Sequence, residues 1–222
     1  MRIGAYQFAV GSSITDNFHA VCRGIEDAAS QNIRLLVFPE CALTGYPPRD
    51  IKSAVDVNFE ELDAVYREIE KMSKKSNMYI LVRICFEVRY PEYFRELYRE
   101  NTALNIILFY DVADSDDIER YELIKSHIRT RAVENVTYTM SVNSIRPYQT
   151  APTGIFDKSG RTINELKRNK ENLLIYDFEN IADDFWRKRQ TVDFRCSHKK
   201  IRILQNFPQR NGRENFRLKN KK

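Results

Sequence analysis

The sequence predicts a layered α/β domain, on three observations. Strand and helix signals alternate through the first 145 residues, several apolar runs are too short for helices, and the segments between them repeat apolar residues at helical spacing. Ile3 to Val10 reads as a first strand. After the turn GSS, the set Ile14, Phe18, Val21, Cys22, Ile25 and Ala29 predicts an amphipathic helix lying on a sheet, with Thr15 and Asp16 at its start. Ile33 to Phe38 is a continuous apolar run, as expected of a strand covered on both faces, and it ends at Pro39 and Glu40. The segment GYPPRD is a loop, because consecutive prolines neither donate ladder bonds nor continue a helix. Asn58 with Glu61 makes a capping box for a second helix, whose buried stripe is Phe59, Leu62, Val65, Ile69 and Met72. Met78 to Phe86 reads as one strand with Cys85 near its end, and Pro91 with Glu92 opens a third helix. Leu104 to Tyr110 is a further strand, the acidic cluster DSDD caps a helix over Ile118 to Asn135, and Val136 to Val142 is β-branched enough for a strand. GIFDKSGRT is expected to be a hairpin turning at Lys158 to Gly160, and NLLIYDF an edge strand.

Composition bounds the function. A chain of 222 residues with 42% hydrophobic content can bury one substantial core. No apolar run approaches the roughly 20 residues that span a bilayer, and the N-terminus lacks the pattern of a secretory signal, so a soluble, cytoplasmic protein without a membrane partner is expected. Cys22, Cys41, Cys85 and Cys196 lie far apart and His19, His127 and His198 stand singly, which suggests no metal site, no disulfide framework and no cofactor. Residues 187–222 hold thirteen Lys/Arg against two acids, Asp193 and Glu214, within a total net charge of +5. The body, residues 1–186, is therefore acidic, and the basic C-terminal extension is read first as a solvated or packing arm. Contact with nucleic acid or an anionic surface is the less favoured reading.

Two residues are placed for chemistry. A carboxylate where a buried strand meets a Pro-containing loop is partly desolvated, which raises its pKa towards that of a useful general base. Glu40 is so placed. A cysteine between a buried apolar run and the Pro that opens a helix sits on a strand-to-helix turn, where its sulfur can face a cleft and backbone N–H groups can face an oxyanion. Cys85 is so placed. In an open parallel sheet such strand ends lie along one edge, where ligands bind. On position alone, a cysteine serving as an apolar filler and a glutamate serving as a cap or ion-pair partner remain open readings.

The wording around these residues adds a family. FPECALTGYPPRD, residues 38–50, resembles the glutamate motif of the carbon-nitrogen hydrolase (nitrilase/amidase) superfamily. RICFEVRYPEYFRELYRENTA, residues 83–103, resembles its cysteine elbow, and IRTRAVENVTYTMSVNS, residues 128–144, is similar to its Arg-Ala-x-Glu-Asn segment. TGIFDKSGR resembles the strand and turn that come next, so the resemblance runs in family order over about residues 1–180. It implies a four-layer α-β-β-α sandwich and a homo-oligomer. It also implies Cys85 as the nucleophile and Glu40 as the acid/base residue, with Tyr46, Phe86, Glu87 and Arg89 as substrate-binding or structural residues beside them. Arg131, Glu134 and Asn135 match the later motif and share a helix face, which suits an orienting or interface role.

One departure governs the expected function. Family members carry several strands and the catalytic lysine between the strand after the second helix and the strand of the cysteine. Here those two strands run together as MYILVRICFE, a shortening near residues 82 and 83 that leaves part of one sheet missing. Lys71, Lys74 and Lys75 fall on or beyond the second helix and do not match the lost motif, and Lys52 is the one conceivable stand-in. The expectation is a carbon-nitrogen hydrolase acting on a small amide or carbamoyl compound through a cysteine thioester, with impaired activity. The alternative is a catalytically inactive family member that serves as an oligomeric binding or scaffold protein.

Overall fold

The computed structural model describes residues 1–81, 91, 94–95 and 102–179. Three strands of a first sheet, β1 (Arg2–Gln7), β2 (Leu35–Val37) and β3 (Tyr79–Leu81), lie side by side and parallel, with Ala5 opposite Val37 and Val37 opposite Leu81. Parallel neighbours need crossover connections. Helices α1 (Ile14–Ser30) and α2 (Phe59–Ser76) supply them, packed on the same face of the sheet.

A second sheet begins with β4 (Leu104–Phe109) and is linked by a short ribbon strand, β5 (Val112–Ala113), to helix α3 (Ile118–Asn135). It continues with β6 (Tyr138–Asn143), which runs parallel to β4. The ribbon closes on β7 (Tyr148–Gln149), and β8 (Gly154–Phe156) and β9 (Thr162–Glu165) finish the sheet as the expected hairpin. Gly160 at its turn has φ +73°, and a Cβ there would stand 2.7 Å from Val133 Cγ2, so the turn requires glycine. The chain then returns to the first sheet, where β10 (Asn172–Asp177) pairs antiparallel with the outer edge of β1. Among the described residues the strand orders are β10-β1-β2-β3 and β4-β6-β8-β9.

Side-chain alternation sets the layers. Ile3, Ala5, Val37 and Leu174 from the first sheet meet Leu108, Met140, Val142 and Ile155 from the second, forming the apolar seam between the sheets. The opposite face of the first sheet, including Tyr6, Phe8, Leu36 and Phe38, is covered by α1 and α2. The opposite face of the second sheet, including Ile107, Phe109 and Phe156, is covered by α3 through Ile124, Ile128 and Ala132. The result is the four-layer α-β-β-α sandwich that the resemblance implies. Phe94 is helical and buried in that last cluster, and Pro91 is also helical, in keeping with a helix opening at Pro91.

Helix α1 starts at Ile14 with Thr15 and Asp16 in its first turn, as expected, and is capped by Ser13, whose side chain accepts from the Asp16 N–H. Two local expectations of burial are corrected. Ala28 rather than Ala29 faces the core of α1. Phe59 is 62% exposed instead of buried, because as the first residue of α2 it borders a cavity and stays outside the core cluster. Asn58 and Asp117 cap their helices as expected, accepting from the N–H groups of Glu61 and Arg120, but the Glu61 carboxylate accepts from the Thr15 hydroxyl at 2.9 Å instead of closing a capping box. All described residues fall within one compact unit, Met1–Ala182, and no described helix is long and apolar enough to cross a membrane.

The seam predicts one stability result. Ile155 is fully buried between the sheets, so Ile155→Ala should lower unfolding free energy by about 2–5 kcal/mol through lost transfer energy and a residual cavity. Urea denaturation with an unchanged slope is the check.

Candidate active site

Strand β2 delivers Glu40 to the seam. Its run of apolar residues ends at Phe38 and Pro39, and Cys41 takes a left-handed φ of +53°, which turns the chain back immediately after Glu40. Glu40 is buried. Its N–H donates to the Phe109 carbonyl at 3.2 Å, and its Oε2 accepts from the Tyr110 N–H at 3.2 Å. Both contacts reach the end of β4 in the other sheet, so one residue ties the two sheets together at this end of the sandwich.

The loop that follows is built to stay closed. Gly45 has φ +77°, and a Cβ there would stand 2.6 Å from the Gly11 carbonyl oxygen. The Tyr46 N–H donates to Asp50 Oδ2 at 2.8 Å, and the Asp50 N–H donates to the Tyr46 carbonyl at 2.8 Å. The Tyr46 ring lies flat on the Tyr110 ring, centroids 5.0 Å apart with planes 6° from parallel. Burial first, then the Glu40 carboxylate, pushes the Tyr46 hydroxyl pKa up. Burial, followed by the Asp50 carboxylate, does the same to Tyr110.

Beyond Tyr110 the chain enters a polar belt. Asn143, at the end of β6, accepts from the Asp111 N–H at 2.9 Å and donates through Nδ2 to the carbonyls of Asp111 and Ala151 at 2.7 and 3.0 Å. The Asp111 carboxylate accepts from Arg120 Nε at 2.7 Å and from the Thr150 hydroxyl at 2.6 Å. The same belt includes Gln149, whose Nε2 donates to Gln7 Oε1 at 3.0 Å. These groups satisfy one another and form a rigid wall behind Glu40. Sequence reasoning missed Tyr110, Asp111 and Thr150; the signal available was the YDVAD stretch directly after an apolar strand.

On its other side Glu40 faces an apolar cavity of about 630 Å³. Leu43, Ile51, Val57 and Leu62 are among its lining residues, and among the described residues Glu40 is the one charged member of that lining. Of the expected site residues, the structure places Glu40 and Tyr46 together here. Cys85, Phe86, Glu87 and Arg89 lie outside the described residues. Arg131, Glu134 and Asn135 stand away from this site at the end of α3. There Arg131 pairs with Glu134, the Glu134 carbonyl accepts from Arg95 Nη1 at 3.2 Å, and Asn135 Nδ2 donates to the Arg131 carbonyl at 2.9 Å. Lys71 and Lys74 pair with Glu68 and Glu70 on the exposed side of α2, as a solvated helix end would. Lys52 is exposed. Among the described residues no His/Cys/Asp/Glu cluster has the makings of a metal site.

The comparisons agree with this geometry. The sequence model of the carbon-nitrogen hydrolase family matches residues 2–83. No curated protein sequence matches the chain. The NitN amidase from Nesterenkonia sp. AN1 is similar in structure, with a TM-score of 0.69 at 15% identity, covering 89% of this chain and 99% of that one. An amidase from Nesterenkonia sp. gives 0.68 at 16% identity, covering 88% and 95%. A glutamate variant of the AN1 amidase, bearing acrylamide by Michael addition at its active-site cysteine, gives 0.68 at 16% identity and covers 88% and 99%. Over residues 2–83 the sequence is similar to the carbon-nitrogen hydrolase family, and the fold is that of these nitrilase-superfamily amidases.

Cys41 supplies a titration prediction. Burial, then the Glu40 carboxylate, pushes its thiol up to about 11. Its alkylation by iodoacetamide at pH 8 should therefore be slower than that of a free thiol, rising only as pH nears 11. The folded state holds this proton more tightly than the unfolded chain does. The associated stability is present below pH 9 and is lost as pH rises through about 11. Peptide mapping of alkylated protein against pH checks the first expectation, and Cys41→Ser should remove the alkaline loss of stability.

Proposed function

We propose that this chain is a cysteine-dependent carbon-nitrogen hydrolase for small amide or carbamoyl compounds, with Cys85 as nucleophile, Glu40 as proton carrier, and a rate reduced by the loss of the family's lysine segment. The observation that carries the reading is strand register. Val37 and Leu81 stand opposite each other in adjacent parallel strands, and Glu40 and Cys85 follow them by three and four residues. Four residues of chain span at most about 14 Å, so a cysteine at that position is within reach of the buried carboxylate. Ligands in open α/β sheets bind at this strand end.

The chemistry follows from those two groups. Glu40 takes the proton of the Cys85 thiol as the sulfur attacks the amide carbon, and passes it to the departing nitrogen as the C–N bond breaks, leaving a thioester. Water then gives a proton to Glu40 as it attacks the thioester carbon, and Glu40 returns that proton to the leaving sulfur, which releases the acid and restores the thiol. Tyr46, held flat against Tyr110, fixes the wall beside Glu40, and Phe86, Glu87 and Arg89 are, by resemblance, substrate-binding or structural residues near Cys85.

Two facts support the shortened interval. The family match stops at residue 83, where the two strand motifs run together. In the AN1 amidase the substituted glutamate and cysteine are more than twice as far apart along the chain as Glu40 and Cys85 are here. Losing one member of a catalytic set commonly costs about 10² to 10⁶ in rate. The same shortening favours a second reading, an inactive family member that keeps the fold as an oligomeric binding or scaffold protein.

Ammonia release from a panel of small amides and carbamoyl compounds decides between them. Slow release by wild type, abolished in Cys85→Ala and in Glu40→Gln, is the expected result. Silence from folded wild-type protein across the panel would remove the hydrolase reading and leave the scaffold.

A further inference from the structure

We infer that Asn143 is a positioning residue for Glu40: its side-chain amide continues the strand ladder past the end of β4 and holds the backbone there, so that the Tyr110 N–H stays aimed at the Glu40 carboxylate. Resting on the reading of Glu40 as the proton carrier, this role adds the group that orients it. A single peptide group carries the contact. The Phe109 carbonyl accepts from the Glu40 N–H and the Tyr110 N–H donates to Glu40 Oε2, each at 3.2 Å. The plane of the peptide between Phe109 and Tyr110 therefore sets where the carboxylate is held.

That peptide lies where the ladder stops. The pairing of β4 with β6 ends at Phe109 opposite Asn143, and β5 begins at Val112, so Tyr110 and Asp111 belong to neither strand. Asn143 extends the pairing with its side chain. Its Oδ1 accepts from the Asp111 N–H at 2.9 Å, as a backbone carbonyl would, and its Nδ2 donates to the Asp111 carbonyl at 2.7 Å, as a backbone N–H would. Nδ2 also donates to the Ala151 carbonyl at 3.0 Å, so both hydrogens of this fully buried amide are used. The pattern requires asparagine. An aspartate would turn an oxygen towards two carbonyls, and an apolar residue of similar size would strip the Asp111 N–H of this acceptor. A group that takes and returns protons needs its geometry held to about 0.5 Å, and a grip one residue from its donor supplies that.

Ser141 separates positioning from general support. It lies two residues earlier on the same face of β6, is equally buried, and spends its hydroxyl on the Pro152 carbonyl at 2.7 Å. NMR of the full-length protein reads the contact itself. The Tyr110 amide proton, bonded to a carboxylate, should resonate downfield in wild type and move upfield in Glu40→Gln. Asn143→Ala should move it most of that way, and Ser141→Ala should leave it in place. Asn143→Ala should also lower kcat about tenfold to hundredfold with KM kept within about twofold, the split expected of a misaimed proton carrier. In wild type the Tyr110 and Asp111 amides should open together, with hydrogen-exchange protection factors equal within about threefold. A Tyr110 resonance unmoved by Glu40→Gln or by folded Asn143→Ala, one moved equally by Ser141→Ala, or a protected Tyr110 beside a freely exchanging Asp111 would overturn the inference. The expected amide results in a protein that releases no ammonia would uphold the positioning while removing the hydrolase reading. Ammonia release unchanged by Asn143→Ala would do the reverse.

Discussion

A carboxylate buried between two sheets has to be hydrogen-bonded, and Glu40 meets that demand across the seam, accepting from Tyr110 while its own N–H donates to Phe109. The arrangement fixes more than one side chain. With the end of β2 tied to the end of β4, Tyr110 is held where its ring can stack on Tyr46, and Asp111 is held where Asn143 can bracket it from both backbone sides. The site is positioned by the ends of strands from both sheets, which is a stiffer support than a loop alone.

Glu40 also sits at a boundary between two kinds of surroundings. Behind it are Asp111, Asn143, Thr150 and Arg120, each satisfied by the others. In front is an apolar space edged by α2. A carboxylate so placed can keep its hydrogen bonds to the polar wall while a neutral group displaces water on the apolar side. The desolvation that shifts Cys41 and Tyr46 is the local sign of that boundary.

Much of this was legible in the sequence because the signals were strong and local. The limits of α3, Ile118 to Asn135, follow from an acidic cap at Asp117 and a sustained pattern, and the hairpin turn at Gly160 follows from the one residue that tolerates its φ. The four-layer arrangement came from resemblance, since apolar periodicity shows that a strand is covered and not by what. The polar belt was hidden for a related reason. Asp111, Asn143 and Thr150 are separated by 32 and 7 positions and meet only when the strands are aligned, so no short motif announces them. Phe59 misled because periodicity cannot say where along a helix its apolar stripe leaves the core.

The pairing of β1 with β10 bears on how the chain is made. The Met1 amino group donates to the Phe178 carbonyl at 2.7 Å, Arg2 pairs with Asp177, and the two strands match residue for residue from Arg2 opposite Asp177 to Gln7 opposite Asn172. Strand β1 therefore waits for the chain as far as residue 177 to be translated before its second neighbour exists. Until then its outer edge stays uncovered, a state open to pairing with other nascent chains. Contacts of such long sequence separation also slow closure of the finished chain. Ending translation before Asn172 would leave the edge of β1 open, so the integrity of this unit is decided at β10.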